Sequence, residues 1–379
     1  MIDKLKIGIL GGDQLGTMLI RHAIDYGLNV SVMDKDPNSP SARYTNSFKV
    51  GDPTKYEDVI DFGHDLDIIT IEKETVNTHA LKDLVKMGVK VYPSPDIIDI
   101  IQDRYIQKKF LETYDIPVAP LVPILNKKDL SENIHRLPGC LKKCKTNHDG
   151  NSSMILHTRE DVDKAFDEPC FLEDLIDIKH EISVIVSRNE KGTVECYDPV
   201  MMIFNKQQMV LDFQLCPAHI PQDKAIEACK LAIKTAEALN LVGILAVEMF
   251  LTTDGRLLVN ELAPRPHNSG HHTVESCNTS QYEQQLRVML GLPMGDTSLK
   301  NSSVLLNVFE PAAYRKKSIE DALKVILCSN DVHMHLYGKK EGNAGSRMGH
   351  INITEDTIEN ALSKATMIRH ILRGSYGQH

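Results

Sequence analysis

The chain has 379 residues, 42% of them hydrophobic and 25% charged, with a formal net charge of −9. This is the composition of an ordinary globular protein, long enough for two or three domains. The acidic balance argues against general binding to nucleic acid or anionic membrane, which needs a cationic face, and no apolar run approaches the roughly 18–20 residues needed to span a bilayer.

Met1-Ile2-Asp3-Lys4-Leu5 leads directly into a strand and does not read as a signal peptide, so a cytoplasmic location is expected. Eight cysteines are scattered without a Cys-x-x-Cys pair, Cys140 and Cys144 being the closest two, and read as reduced packing thiols.

Lys6–Leu10 predicts a short strand that runs into Gly11-Gly12-Asp13-Gln14-Leu15-Gly16 and then a helix to about Gly27. Asn29–Met33 predicts a second strand, ending at Asp34, and Asp67–Ile71 another, ending at Glu72. Strands alternating with helices imply a parallel sheet covered on both faces. Ligands then gather at the carboxyl ends of the strands, near Gly11–Gly16 and Glu72–Glu74. The glycine run almost spells a dinucleotide fingerprint, but Asp13 stands where a glycine must let the backbone approach a pyrophosphate. Asp34 alone is weak support for a ribose site. A tight strand-to-helix turn lining some other ligand is the better reading, with Gln14 and the helix N-terminal amides as donors.

After Pro93-Ser94-Pro95 the character changes. Asp96–Tyr114 predicts one helix carrying Arg104, Lys108 and Lys109, and Pro117 and Pro120 follow as a stiff connection. From about Ser131 to Arg188 the pattern is of weaker helices and short strands, including Ile182–Val186. A long helix is expected near Asp223–Leu239, a hairpin from Leu245–Leu251 and Arg256–Glu261 around Asp254-Gly255, and a helix opening near Ser280. Past Lys300 a smaller mixed region closes the chain.

Asn260 to His272 packs a carboxylate, two amides, an arginine and three histidines into thirteen residues, with Pro264, Pro266 and Gly270 fixing the backbone. A core strand would not tolerate so many polar groups, since each buried one needs a partner. The economical reading is a site for an anion and a metal at a strand end. Glu248 and Glu261 are equidistant from the turn centre, so they should face each other across the hairpin. Two like charges there call for a cation, and Mg²⁺ suits oxygen ligands. A zinc site from His267, His271 and His272 would leave the paired acids unexplained.

These residues carry a family resemblance. Asn-Glu-x-Ala-Pro-Arg-Pro-His-Asn-Ser-Gly-His from Asn260, preceded by Ala246-Val247-Glu248-Met249-Phe250, resembles the signature of N5-carboxyaminoimidazole ribonucleotide synthetases, ATP-grasp enzymes of purine biosynthesis. The likeness runs through Gly11–Gly16, Ile69-Thr70-Ile71-Glu72, Gln102-Asp103-Arg104, Glu181–Val186, Ser280-Gln281-Tyr282-Glu283, His335–Lys339 and Arg347-Met348-Gly349-His350. It implies an α/β chain (α+β in parts) with the ATP-grasp fold. An N-terminal Rossmann-like domain at 1–102 would precede an ATP-grasp domain at 103–300, with a small lid at about 118–188 and a C-terminal domain at 301–379. The implied activity is ATP-dependent ligation: bicarbonate becomes carboxyphosphate, and the carboxyl group passes to the amine of 5-aminoimidazole ribonucleotide. ATP and Mg²⁺ are the implied cofactors and a homodimer the implied assembly, with no nucleic-acid or membrane partner.

Carried over by motif, Arg104 and Lys142 would hold ATP phosphates, with the lid residues Asn147, His148, Asp149 and Gly150 over them. Glu173, Asp174, Leu175 and Ile176 would form the hinge that meets adenine, and Glu181 would meet the ribose. Asn260 and Glu261 complete the nucleotide site, and Glu248 and Glu261 would hold the metal. Gln14, Leu15, Glu72, Asp149, Arg265, His267, Lys339 and Arg347 would line the acceptor and carboxyphosphate pocket, with Arg265, His267 and Asn268 at the chemistry.

The chain departs from the family pattern in its loops. Thr146-Asn147-His148-Asp149-Gly150-Asn151-Ser152 replaces a lid loop of the form Gly-Gly-Tyr-Asp-Gly-Lys/Arg-Gly. Three glycines, which let such a loop lay its amides on phosphates, and one cation are lost, with Lys143 and Lys145 nearby. Asp13 replaces a glycine, Lys73 follows Glu72 where the family is apolar or aromatic, Ser346-Arg347 replaces Arg-Lys, and Pro199–Asn205 lacks the usual acids. The alternatives are therefore a diverged ATP-grasp carboxylate–amine ligase with another acceptor, or a nucleotide-binding paralogue without turnover.

Overall fold

The computed structural model describes residues 4–145, 152–205, 210–309, 322–339 and 346–376. The N-terminal region is a five-stranded sheet, β1 (Ile7–Leu10), β2 (Val30–Asp34), β3 (Ser47–Val50), β4 (Ile68–Ile71) and β5 (Lys90–Tyr92). The strand order is β3-β2-β1-β4-β5, parallel throughout. Both β1 and β4 are buried over their full length, as strands covered on both faces must be. The covering helices include α1 (Gln14–Asp25), α2 (Tyr56–Gly63) and α3 (Thr78–Lys86). The strand order reverses between β1 and β4, so the glycine loop and Glu72 meet there, where such sheets bind ligands.

The helix predicted over Asp96–Tyr114 is two helices, α4 (Pro95–Gln102) and α5 (Arg104–Thr113). Asp103 divides them: it leaves the helical region (φ −113, ψ 108) and its carboxylate accepts from the amides of Tyr105 and Ile106. The break puts Arg104 in the first turn of α5, with its amide on the Cys144 carbonyl.

A small antiparallel sheet follows, β6 (Leu121–Ile124), β7 (Gly139–Lys143), β8 (Ser153–Leu156) and β9 (Cys170–Asp174), in the order β6-β9-β7-β8 and flanked by α6 (Lys127–Glu132). It closes at Asp174, earlier than the expected lid boundary near 188. The next strand, β10 (Ile178–Arg188), lies inside the large sheet, because its alternate residues Ile182, Val184 and Val186 are needed in the main core.

That large sheet contains β10 with β11 (Val194–Cys196), β12 (Val200–Asn205), β13 (Val210–Cys216), β14 (Gly243–Thr252), β15 (Leu257–Ala263), β16 (Ser302–Phe309), β17 (Val332–Leu336) and β18 (Arg347–Glu355). The strands after residue 300 therefore extend the central sheet rather than forming one of their own, and helix Ile358–Tyr376 packs on them.

Alternation divides the two faces of this sheet. Val184, Leu245, Val247, Met249, Val259 and Leu262 pack against Ala228, Ala232 and Ala236 of α7 (Gln222–Ala238). Glu181, Ser183 and Glu248 fall on the opposite face. Two further helices are α8 (Thr273–Ser276) and α9 (Gln281–Met289). Among the described residues no helix is long and apolar enough to cross a membrane, and all eight cysteines are free.

Candidate active site

The hairpin of β14 and β15 builds the acidic centre. Leu251 pairs with Leu257, Phe250 with Leu258 and Met249 with Val259; the register then slips by one, and Glu248 pairs with Glu261. Asn260 is the extra residue of this bulge, so Asn260 and Glu261 are both half-buried between the core residues Val259 and Leu262. β15 is an edge strand, and α5 covers its free groups: Lys108 Nζ donates to the Val259 carbonyl at 3.0 Å, and the Leu262 amide donates to Gln107 Oε1 at 3.1 Å.

Burial pushes the Glu248 carboxyl up to about 8, helped by repulsion from Glu261 and Glu181, while Arg104 and Arg265 act against it. One guanidinium nitrogen serves both oxygens of Glu261: Arg104 Nη2 lies 3.2 and 3.0 Å from them. Arg104 Nη1 also donates to Ser152 Oγ at 3.2 Å. Burial likewise raises Glu181, a nearby Lys142 opposing.

Glu173 is buried between two lysines, Lys108 Nζ at 2.8 Å from Oε1 and Lys142 Nζ at 2.6 Å from Oε2. Burial raises its carboxyl, but the two ammonium groups outweigh this and hold it below the usual range. Burial also lowers Lys108 to about 8. Lys142 Nζ donates to Asn260 Oδ1 at 3.0 Å as well, tying β7 to the bulge. The Glu173 side chain is thus committed to the lysines, leaving Leu175 as the exposed part of the expected hinge, between the half-buried Asp174 and Ile176. Asp174 is held by Arg136 at 2.6 Å. The sequence places Glu74 at a ligand-gathering strand end and Lys108 on a helix, but assigns neither a role of its own.

The loop after β15 is fastened on three sides. Arg265 makes a two-pronged pair with Glu74, Nε to Oε1 2.8 Å and Nη2 to Oε2 3.1 Å. Gln281 clamps the backbone of His267, accepting from its amide at 2.9 Å and donating to its carbonyl at 2.7 Å. Gln14 Nε2 donates to Asn268 Oδ1 at 2.7 Å, joining the first loop to this one. His267 Nδ1 meets Ser269 Oγ at 2.9 Å, and that hydroxyl meets Ser183 Oγ at 2.8 Å. The Nε2 atom of His267 is 3.7 Å from Glu248. Burial, with Arg265 and Arg347 close by, lowers His267 to about 3, so the imidazole is neutral near pH 7.

His271 and His272 turn away from His267. His271 Nδ1 bonds the Tyr282 hydroxyl at 2.8 Å and its ring stacks on His350, centroids 4.2 Å apart. His272 Nδ1 bonds the Ser269 carbonyl at 3.0 Å. Among the described residues no group of three or more His, Cys, Asp or Glu converges as a metal cage, so the zinc alternative has no geometry. A carboxylate pair completed by phosphate oxygens is a different arrangement, and the proton-holding Glu248 beside Glu261 fits a cation there.

At the first loop, Glu72 accepts from the amides of Asp13 (2.6 Å) and Leu15 (2.9 Å) and so fixes the start of α1. Burial and the Asp13 charge push its carboxyl up to about 7. Asp34 accepts from the Gly12 amide at 2.8 Å, so it braces the loop. Gly11 needs its φ of +104, and a Cβ there would come within 2.9 Å of Glu72 Cβ. The Leu15 side chain is core. Lys339 lies 3.0 Å from Asp13, and Arg347, at the start of β18, acts electrostatically on His267. Asn147, His148, Asp149 and Gly150 lie outside the described residues. Lys143 points to the far side of β7, pairing with Glu168 at 2.7 Å over the Phe166 ring. Lys145 lines a cavity of about 230 Å³ with Gln102, Arg104 and Glu261.

Family models match this chain along most of its length: a ribonucleotide synthetase preATP-grasp domain at 4–102, an ATP-grasp domain at 109–282, and a phosphoribosylaminoimidazole carboxylase C-terminal domain at 303–364. The N5-carboxyaminoimidazole ribonucleotide synthase of Bacillus subtilis is 34% identical over 366 residues, covering 95% of this chain and 94% of that protein. The chain belongs to the N5-carboxyaminoimidazole ribonucleotide synthase family. The Mycobacterium tuberculosis H37Rv member is 32% identical over 377 residues, covering 97% and 87% of the two chains. Among solved structures, the synthetase of Thermotoga maritima superposes with a TM-score of 0.86 at 34% identity over 97% of this chain and 98% of that one. The Aspergillus clavatus synthase, solved with ADP and 5-aminoimidazole ribonucleotide, gives a TM-score of 0.89 at 29% identity over 99% and 100%.

Proposed function

We propose that this chain is an ATP- and bicarbonate-dependent ligase that carboxylates 5-aminoimidazole ribonucleotide to N5-carboxyaminoimidazole ribonucleotide through carboxyphosphate, in de novo purine biosynthesis. The observation that carries the reading is the facing pair Glu248 and Glu261, in a chain whose relatives have been solved with ATP and with the acceptor ribonucleotide.

Glu248 and Glu261 would hold Mg²⁺, with Asn260 beside them. Bound there, the ion would offset charge on the phosphate oxygens during transfer. With Glu261 holding a cation, Arg104 would be free to turn its guanidinium to a phosphate. Lys142, fixed by Glu173 and Asn260, supplies a second positive group on the same side. Glu173–Ile176 would meet adenine through the strand end, and Glu181 would meet the ribose.

Arg265, oriented by Glu74, presents a fixed guanidinium suited to a carboxyl or phosphoryl group. His267 is neutral, and its Nδ1 accepts from the Ser269 amide, which leaves the ring proton on Nε2 as a hydrogen-bond donor. It is therefore suited to orient a bound substrate by donating from Nε2. Asn268, held by Gln14, would set the distance between the two loops. Glu72 keeps the first loop in shape, and Leu15, Lys339 and Arg347 would bound the acceptor pocket.

The test is phosphate release from ATP, with and without bicarbonate and 5-aminoimidazole ribonucleotide. Acceptor-dependent release supports the reading. Release only with another amine assigns a different acceptor, and ATP binding without release assigns a nucleotide-binding paralogue.

A further inference from the structure

Two departures in the acceptor loops lie against each other. Asp13 precedes α1, yet its side chain does not cap the helix. It turns to Lys339, whose Nζ is 3.0 Å from Oδ1 and 3.3 Å from Oδ2, and Lys73 Nζ is 3.8 Å from Oδ2. The lysines come from different elements, one beyond β4 and one beyond β17. Asp13 Oδ1 is buried without a hydrogen bond of good geometry, so the carboxylate fills this seat imperfectly. The amides at the start of α1, another natural anion site, are already taken by Glu72.

We infer that Asp13 is an internal anion seated on Lys73 and Lys339, in the place that the phosphate of a ribonucleotide acceptor would take, and that it sets how tightly this chain holds such an acceptor. The inference rests on the acceptor class proposed above. A ribonucleotide brings a phosphate with three acceptor oxygens and a charge near two. Two partly exposed lysines, 50% and 27% accessible at the side chain, match it at low desolvation cost. In this chain the phosphate must displace the Asp13 carboxylate, and it then lies beside that carboxylate and the buried Glu72. Acceptor binding is weakened accordingly, while an acceptor without a phosphate loses nothing.

The experiment compares the full-length protein with Asp13→Gly and with Asp13→Asn, which removes the charge at nearly constant volume should the glycine variant fail to fold. Calorimetry measures the dissociation constant of ribose 5-phosphate, and steady-state kinetics measures KM and kcat for 5-aminoimidazole ribonucleotide. Freeing one charge-assisted contact should tighten ribose 5-phosphate and lower KM by about tenfold, with a smaller change in kcat. Adding Lys339→Ala to Asp13→Gly should cancel the gain. Unchanged or weaker phosphate binding in both folded variants overturns the inference. If the parent protein shows no turnover with the ribonucleotide, the proposed acceptor fails, and the ribose 5-phosphate comparison still decides the seat.

Discussion

Glu248 and Glu261 are partners across the hairpin because Asn260 is bulged out of it. In the regular register Glu248 would face Asn260 and Glu261 would follow the alternation toward the core. The bulge turns two consecutive polar residues to one face and returns Leu262 to the other. Glu261→Gln should therefore leave fold and thermal midpoint near those of the parent, because this side chain is 43% exposed. Loss of even an outer-shell partner costs about 10–100-fold in metal affinity, so losing a direct ligand should raise the Mg²⁺ requirement for ATP turnover by about 100-fold. Parent-like turnover at limiting Mg²⁺ would remove the metal assignment.

The raised carboxyl of Glu248 gives a pH signature. Protonated below about 8, it must shed its proton before it can hold a cation. Affinity for the Mg²⁺–nucleotide complex should therefore rise with pH, by up to about tenfold per unit, and level off near 8. Calorimetry in buffers of different ionisation enthalpy should find close to one proton released at pH 6.5 and almost none at pH 9. In Glu248→Gln the release disappears. Proton uptake on binding would contradict the assignment.

The Arg265–Glu74 pair is a brace, and under the proposed function Arg265 is a binding element as well. Its side chains are 13% and 12% exposed, so Arg265→Ala strands a buried carboxylate, at a cost of about 3–5 kcal/mol. Adding Glu74→Ala should recover part of that stability in denaturant unfolding. The acceptor-dependent rate should stay low in the double variant, because the guanidinium is still missing. Recovery of stability and rate together would make Arg265 a brace only.

Two lysines were candidates for the cation lost from the lid loop, and their surroundings separate them. Lys143 is committed to Glu168 and Phe166 on the far side of β7, whereas Lys145 lines the cavity beside Arg104 and Glu261. Lys145→Ala should weaken ATP binding by about tenfold and Lys143→Ala by less than about twofold. The reverse order would place the compensating charge elsewhere.

Strand ends, the hairpin and the acid pair were legible in the sequence because they follow from period-two alternation and turn chemistry. The acid pair was reached through a compensation. Counting from a turn centred between Asp254 and Gly255 selects Glu248 and Glu261, whereas the observed turn is centred on Asp254 and the bulge shifts the register back. The break at Asp103 was missed because its cap competes with an otherwise continuous helical pattern. The Lys108–Glu173–Lys142 cluster was not legible: its members lie on α5, β9 and β7, and only the pairing of β7 with β9 and the packing of α5 against that sheet bring them together. The neutral state of His267 was not legible either, because burial and the two arginines that lower it are tertiary effects.

The central claim is that carbon from bicarbonate is transferred to the amine of 5-aminoimidazole ribonucleotide at the expense of ATP. Labelled bicarbonate, ATP, Mg²⁺ and the ribonucleotide should yield labelled carboxylated ribonucleotide in equal amount to the phosphate released, none when ATP is left out, and almost none when Glu261 is replaced by glutamine at limiting Mg²⁺. Phosphate release with no label in the ribonucleotide would contradict it.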